Sequence, residues 1–166
     1  MTAMTVVAWI VEGSWPAVVD ATRTYAPAGA EIVLLHVTEA SVPEVAHGAY
    51  AGLLGRGHRE RDPGTRLEHL SAASATDLLQ AAADRLGRDC DQQQRTGRPE
   101  RAVVAAAEGA ELLILARDGD QARLGPKSLG RASRFIVDHA PCAVFLVWPV
   151  PAPGVDTIPP PPPHHR

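Results

Sequence analysis

Residues 111–148 read ELLILARDGDQARLGPKSLGRASRFIVDHAPCAVFLVW, and this stretch decides the fold. Leu112-Leu113-Ile114-Leu115 is too short for a helix and too apolar for a half-exposed strand. It fits a strand covered on both faces, as in a parallel sheet. Gly119 and Gly125 lie in the loop that follows, and Gly130 stands at or just inside an amphipathic helix. A second apolar strand then runs into Trp148. Strand, glycine loop and helix start is the arrangement that aims backbone N–H groups at an anion.

Working outward, residues 5–11 (TVVAWIV) form the first expected strand, β-branched and apolar throughout. Ser14 suits an N-cap, and Pro16 falls in a first helical turn, where N–H groups lack intrahelical partners. Residues 31–37 (EIVLLHV) give a second buried strand. Residues 38–73 carry the least pattern; a short helix near 49–54 and a flexible, lid-like remainder are expected. Ser74-Ala75-Thr76-Asp77 resembles a capping box, so a helix is predicted to start there. Its buried stripe is Leu78, Leu79, Ala82 and Leu86, and Gly87 suits its C-cap. Residues 90–96 (CDQQQRT) fall where the rhythm demands a strand, and their polarity places it at a sheet edge. Pro99 opens a helix over 100–108 with Val103, Val104 and Ala107 facing inward.

Strands alternating with helices imply an α/β fold, a single open five-stranded parallel sheet with helices on both faces. The domain is expected over 1–150. The final sixteen residues hold seven of the fifteen prolines, so 151–166 is expected to be a disordered Pro-rich tail outside the fold.

Composition narrows the function. A chain of 166 residues with 45% hydrophobic and 21% charged residues is one globular domain that needs no disulfide or metal to fold. A net charge of −3 argues against bulk binding to nucleic acid or an anionic membrane. Cys90 and Cys142 lack C-x-x-C spacing and read as reduced thiols in a cytoplasmic protein. The apolar run at the N-terminus is too short for a signal peptide core or a membrane span.

VVAWIVEGS at the start, EIVLLHV in the second strand, and ELLILARDG followed by LGRASRFIVDHAPCAVFLV resemble the universal stress protein family. The most specific part runs from Gly130 through His139-Ala140-Pro141-Cys142. The resemblance implies sheet order 3-2-1-4-5 and a homodimer formed through the last strand, here Val144, Leu146 and Trp148. One branch of the family binds ATP and another does not. Nucleotide-binding members carry G-x-x-G, nine residues, then G-[ST]. Here Ala116 replaces the first glycine, Gly119 is kept, ten residues precede Gly130, and Arg131 stands at the hydroxyl position. Glu12 stands where such members have Asp, and Val37 matches the position whose backbone meets adenine.

Two readings stay open. In the first, the chain is a non-enzymatic stress-response module that needs no cofactor and acts by dimerisation or partner binding. In the second, it is an adenine-nucleotide sensor using the crevice between the first and fourth strands. Glu12 and the Val37 backbone would hold the nucleoside, and Gly119, Lys127, Gly130 and Arg131 the phosphates of ATP. Asp118 and Asp120 repel a polyphosphate unless magnesium intervenes. Slow hydrolysis has no general base candidate beyond Glu12. Gly125-Pro126-Lys127-Ser128 fails as a Walker A motif, because spacing is wrong and Pro126 has no N–H. His36 reads as a hydrogen-bonded core histidine, His139 as a helix C-terminal cation, and no histidine spacing suggests a metal.

Overall fold

The computed structural model describes residues 2–40 and 63–163, with side chains from residue 69 onward in the second stretch. The elements in chain order are β1 (Thr5–Trp9), α1 (Trp15–Tyr25), β2 (Glu31–Glu39), α2 (Pro63–Leu86) and β3 (Asp91–Gly97). After them come α3 (Pro99–Ala106), β4 (Leu112–Ala116), α4 (Arg131–His139) and β5 (Ala143–Val147). The sheet is five-stranded in the order β3-β2-β1-β4-β5, with every pairing parallel.

The central strands read as unbroken apolar runs because alternate residues bury into opposite layers. Val6 and Ala8 of β1, Ile32 and Leu34 of β2, and Ile114 of β4 meet Val18 and Val19 of α1 and Leu79, Ala82 and Leu86 of α2. On the other face Val7, Trp9, Leu35, Val37, Leu113 and Leu115 meet Val103, Ala107 and Ile136. Each such Val, Leu or Ile stabilises the fold by about 1.5–3 kcal/mol, more than any local propensity in a strand this short. β3 brings no such burial. Its backbone pairs with β2, and Gln92 and Gln94 donate to Gln80 and Thr76 of α2, which accounts for a polar strand at the edge.

Several boundaries differ from the sequence reading. α2 begins at Pro63, so Ser74 and Asp77 lie inside a 24-residue helix and do not start it. The apparent capping box is a local pattern overridden by a continuing helix, in which Thr76 Oγ1 donates to Ala72 O at 2.9 Å. The helix expected near 49–54 lies outside the described residues. β1 stops at Trp9, since the Val11 carbonyl turns to accept the N–H groups of Ser14 and Trp15. Ser14 holds the N-cap position of α1 but makes no side-chain cap bond. Gly87 follows α2 at φ +67, the left-handed conformation that suits glycine at a helix end.

The segment after residue 150 is not free of the fold as far as residue 158. Val155–Thr157 form a 3-10 turn, and Thr157 Oγ1 accepts the Leu124 N–H at 3.0 Å. Proline content disfavours helix and sheet, but it does not prevent a turn from docking through one hydroxyl.

Candidate functional site

The carboxyl ends of the strands gather the loops that this topology uses for ligands. Beyond Ala116, the Arg117 N–H still pairs with Val147 O at 2.8 Å, and the chain then leaves the sheet as the glycine loop. The Arg117 guanidinium lies over the Trp148 ring at 4.8 Å and donates from Nη1 to Ser128 Oγ at 2.5 Å. Ser128, fully buried, donates a hydrogen bond from its hydroxyl to Gly125 O at 2.6 Å. Arg117 Nε is buried without a partner. The side chains of Trp148, Arg117 and Ser128 thus form one stack that pins the loop to the end of β5.

The loop folds back on itself. Gly119 N–H donates to Ser128 O at 3.0 Å and Asp120 N–H to Lys127 O at 2.8 Å. Ser128 N–H and Leu129 N–H donate to Gly125 O and Pro126 O, and Ala122 N–H to Asp120 Oδ1. Leu124 N–H goes to Thr157. Gly119 is required by packing, since a Cβ there would lie 2.2 Å from Lys127 O. At the start of α4 the Gly130 N–H donates to Asp118 Oδ1 at 2.7 Å. A Cβ on Gly130 would meet Asp118 Oδ1 at 2.8 Å and Oδ2 at 3.0 Å, so the carboxylate lies flat against the bare Cα.

The predicted residues are distributed around this loop, and they do not share one groove. Gly119 and Gly130 are brought together through residues 118 and 128. Lys127 is exposed beside them. Val37 is 7% exposed, its side chain in the core layer under α3 and α4. Glu12 opens on the α1/α2 side, in a groove of about 640 Å³ with His36, Thr38, Ser74 and Asp77. Arg131 points to the opposite side, into an open groove of about 1230 Å³ between α3 and α4. There it joins Arg98, Arg101 and Arg134, interleaved with Glu39, Glu100 and Asp138.

His36 makes the expected hydrogen bond, with Nδ1 2.8 Å from Ile10 O, but it is half-buried and lines the Glu12 groove, so it is not a core residue. His139 lies in the last turn of α4, its Nδ1 2.8 Å from Phe135 O and its ring stacked on Phe135 at 4.1 Å. Among the described residues no group of three or more His, Cys, Asp or Glu is placed to hold a metal ion. No helix among them is long and apolar enough to cross a membrane. Asp118 was legible only as a charge in the loop, and Arg117 carried no signal. Both act through partners eleven or twelve residues away.

The sequence profile of the Universal stress protein family matches residues 7–147. The chain belongs to the universal stress protein family. Solved structures show the same fold at low sequence identity. A hypothetical protein whose biochemical function was assigned from its structure superposes with a TM-score of 0.66 at 14% identity, covering 89% of this chain and 97% of its own. A universal stress protein in complex with cAMP gives 0.59 at 18% identity, covering 90% and 100%. The universal stress protein from Archaeoglobus fulgidus in complex with dAMP gives 0.53 at 14%, covering 89% and 99%. No curated protein sequence matches the chain. For this universal stress protein, sheet order and helix placement follow the family.

A polyphosphate is a poor fit to the loop as it stands. A phosphate cradle needs backbone N–H groups with no other acceptor and no fixed negative charge beside them. Here the amides of Gly119, Asp120, Ala122, Leu124, Ser128, Leu129 and Gly130 already have acceptors.

Proposed function

We propose that this universal stress protein is a non-enzymatic, cytoplasmic stress-response module that works without nucleotide, through self-association or partner binding. The observation that carries this reading is the internal pairing of the glycine loop: seven of its N–H groups, those of Gly119 and Gly130 included, are directed at the chain's own oxygens. Self-association along β5 is consistent with its place at the sheet edge. Val144 and Leu146 pack partly against the core, and Arg117 covers the Trp148 ring. A β5 contact would therefore rest on the strand's backbone edge more than on these side chains.

The second reading, an adenine-nucleotide sensor, draws on the cAMP and dAMP complexes of the structural neighbours and on Lys127 and Arg131, which lie exposed near the loop. Thermal melting with and without magnesium-ATP separates the two. A ligand at a thousand times its Kd stabilises a protein by about 4 kcal/mol. The module reading expects no shift at millimolar ATP and a dimer by light scattering without nucleotide. A clear ATP-dependent shift in the unmodified protein would overturn it.

A further inference from the structure

Asp118 stands apart from the rest of the loop's internal bonding because it brings a full charge to the start of α4. Its Oδ1 accepts the Gly130 N–H at 2.7 Å, and both its oxygens lie within 3.0 Å of where a Gly130 Cβ would be. The residue is held from both sides. Arg117 before it is fixed by Val147 O, Ser128 Oγ and the Trp148 ring, and Gly119 after it is bonded to Ser128 O where Lys127 O leaves no room for a Cβ. The carboxylate therefore reaches the helix start without choosing among many rotamers or loop states. It meets the positive end of the α4 dipole and one of its unpaired donors, as a phosphate would.

We propose that Asp118 is the specificity-determining residue of this loop: a built-in anion that takes the phosphate's seat at Gly130 and excludes polyphosphate ligands. This inference rests on the nucleotide-independent reading above and adds the residue responsible. Two effects act together. The carboxylate consumes the Gly130 N–H, and its charge repels a second anion brought to the same place. Neutralising the residue removes the second effect, and truncating it removes both. Lys127 remains exposed in the same loop to attract an anion once the seat is open.

The test compares the unmodified protein with Asp118→Asn and Asp118→Ala, using thermal shift and calorimetric titration. The probes are inorganic pyrophosphate, magnesium-ATP and adenosine. Asp118→Asn keeps the shape and an acceptor for Gly130, so it serves if Asp118→Ala does not fold. The unmodified protein is expected to show no saturable binding of pyrophosphate or ATP. Asp118→Ala is expected to bind both at least tenfold more tightly, Asp118→Asn to fall between, and adenosine to be unaffected. Variants no better than the unmodified protein would overturn the inference while leaving the functional reading intact. Tight ATP binding by the unmodified protein would overturn both. An equal gain for adenosine would also defeat it, since the carboxylate would then act on the base and not the phosphates.

Discussion

Leu124 and Thr157 join the glycine loop to the C-terminal segment: the Leu124 N–H donates to Thr157 Oγ1 at 3.0 Å, and that hydroxyl donates to Gly154 O at 2.6 Å. Leu124 is half-buried, so its N–H gains by having a fixed acceptor. Thr157→Val keeps the side chain's shape and removes that acceptor. The expected cost is about 0.5–1.5 kcal/mol in urea unfolding. Truncation after Val150 should cost at least as much, and an unchanged midpoint in both would show that the strap contributes nothing.

The two loop glycines should respond differently to alanine. At Gly119 the new Cβ would sit 2.2 Å from a backbone oxygen, Lys127 O, and nearby backbone carbons are also within 3.0 Å. Backbone on both sides must move, and a loss of about 1–3 kcal/mol is expected. At Gly130 the obstacle is the Asp118 side chain, which can rotate away. Gly130→Ala should cost less, and the cost should shrink further in an Asp118→Gly background. A double-mutant cycle by chemical denaturation measures this; strict additivity would show that the two residues do not interact.

Asp20 and Arg85 tie α1 to α2 in a two-bond pair, Nε to Oδ1 and Nη2 to Oδ2, both at 2.8 Å. The Arg85 hydrogen bonds, helped by its charge and that of Arg23, hold the Asp20 carboxyl below its ordinary 3.8. A carboxylate lowered in the folded state contributes stability above its unfolded pKa, near 4, and loses it as pH falls through the folded value. Asp20→Asn should therefore lower the Tm slightly at pH 7 and by less at pH 3, below the unfolded pKa. Both side chains are some 40–45% exposed, so salt should erase the difference. A deficit of equal size at both pH values would rule out the ion pair as its cause.

Burial pushes the thiols of Cys90 and Cys142 up, with Asp91 and Asp89 adding to the effect at Cys90 and Glu111 at Cys142. The thiolate is the reactive form, so both should react slowly with a disulfide reagent at pH 7.5. Unfolding in urea should accelerate the reaction severalfold, and raising the pH should accelerate it in the folded protein. A folded protein reacting as fast as the unfolded one would contradict this.

Much of the fold was legible because it depends on spacing along the chain. The apolar runs of β1, β2 and β4 have no polar face, and only a sheet covered on both sides satisfies them. The polar run of β3 marked an edge for the same reason in reverse. The start of α2 was misplaced because Ser74 and Asp77 satisfy a local capping pattern, while the helix is decided by its whole length. Gly130 was placed at the start of α4 correctly, since glycine loop and helix pattern meet there.

The sequence by itself determined the alternation of strands and helices and the residues each buries, since these follow from periodicities of two and 3.6 residues, and its motifs carried the resemblance to the family. Only the tertiary structure decided whether the glycine loop is open. Its state depends on pairs such as Asp118 with Gly130 and Leu124 with Thr157, which are 12 and 33 residues apart and meet through the closed loop and the returning C-terminal segment. A hydrogen bond forms within a few tenths of an ångström of its optimum or not at all, and no local pattern carries that distance.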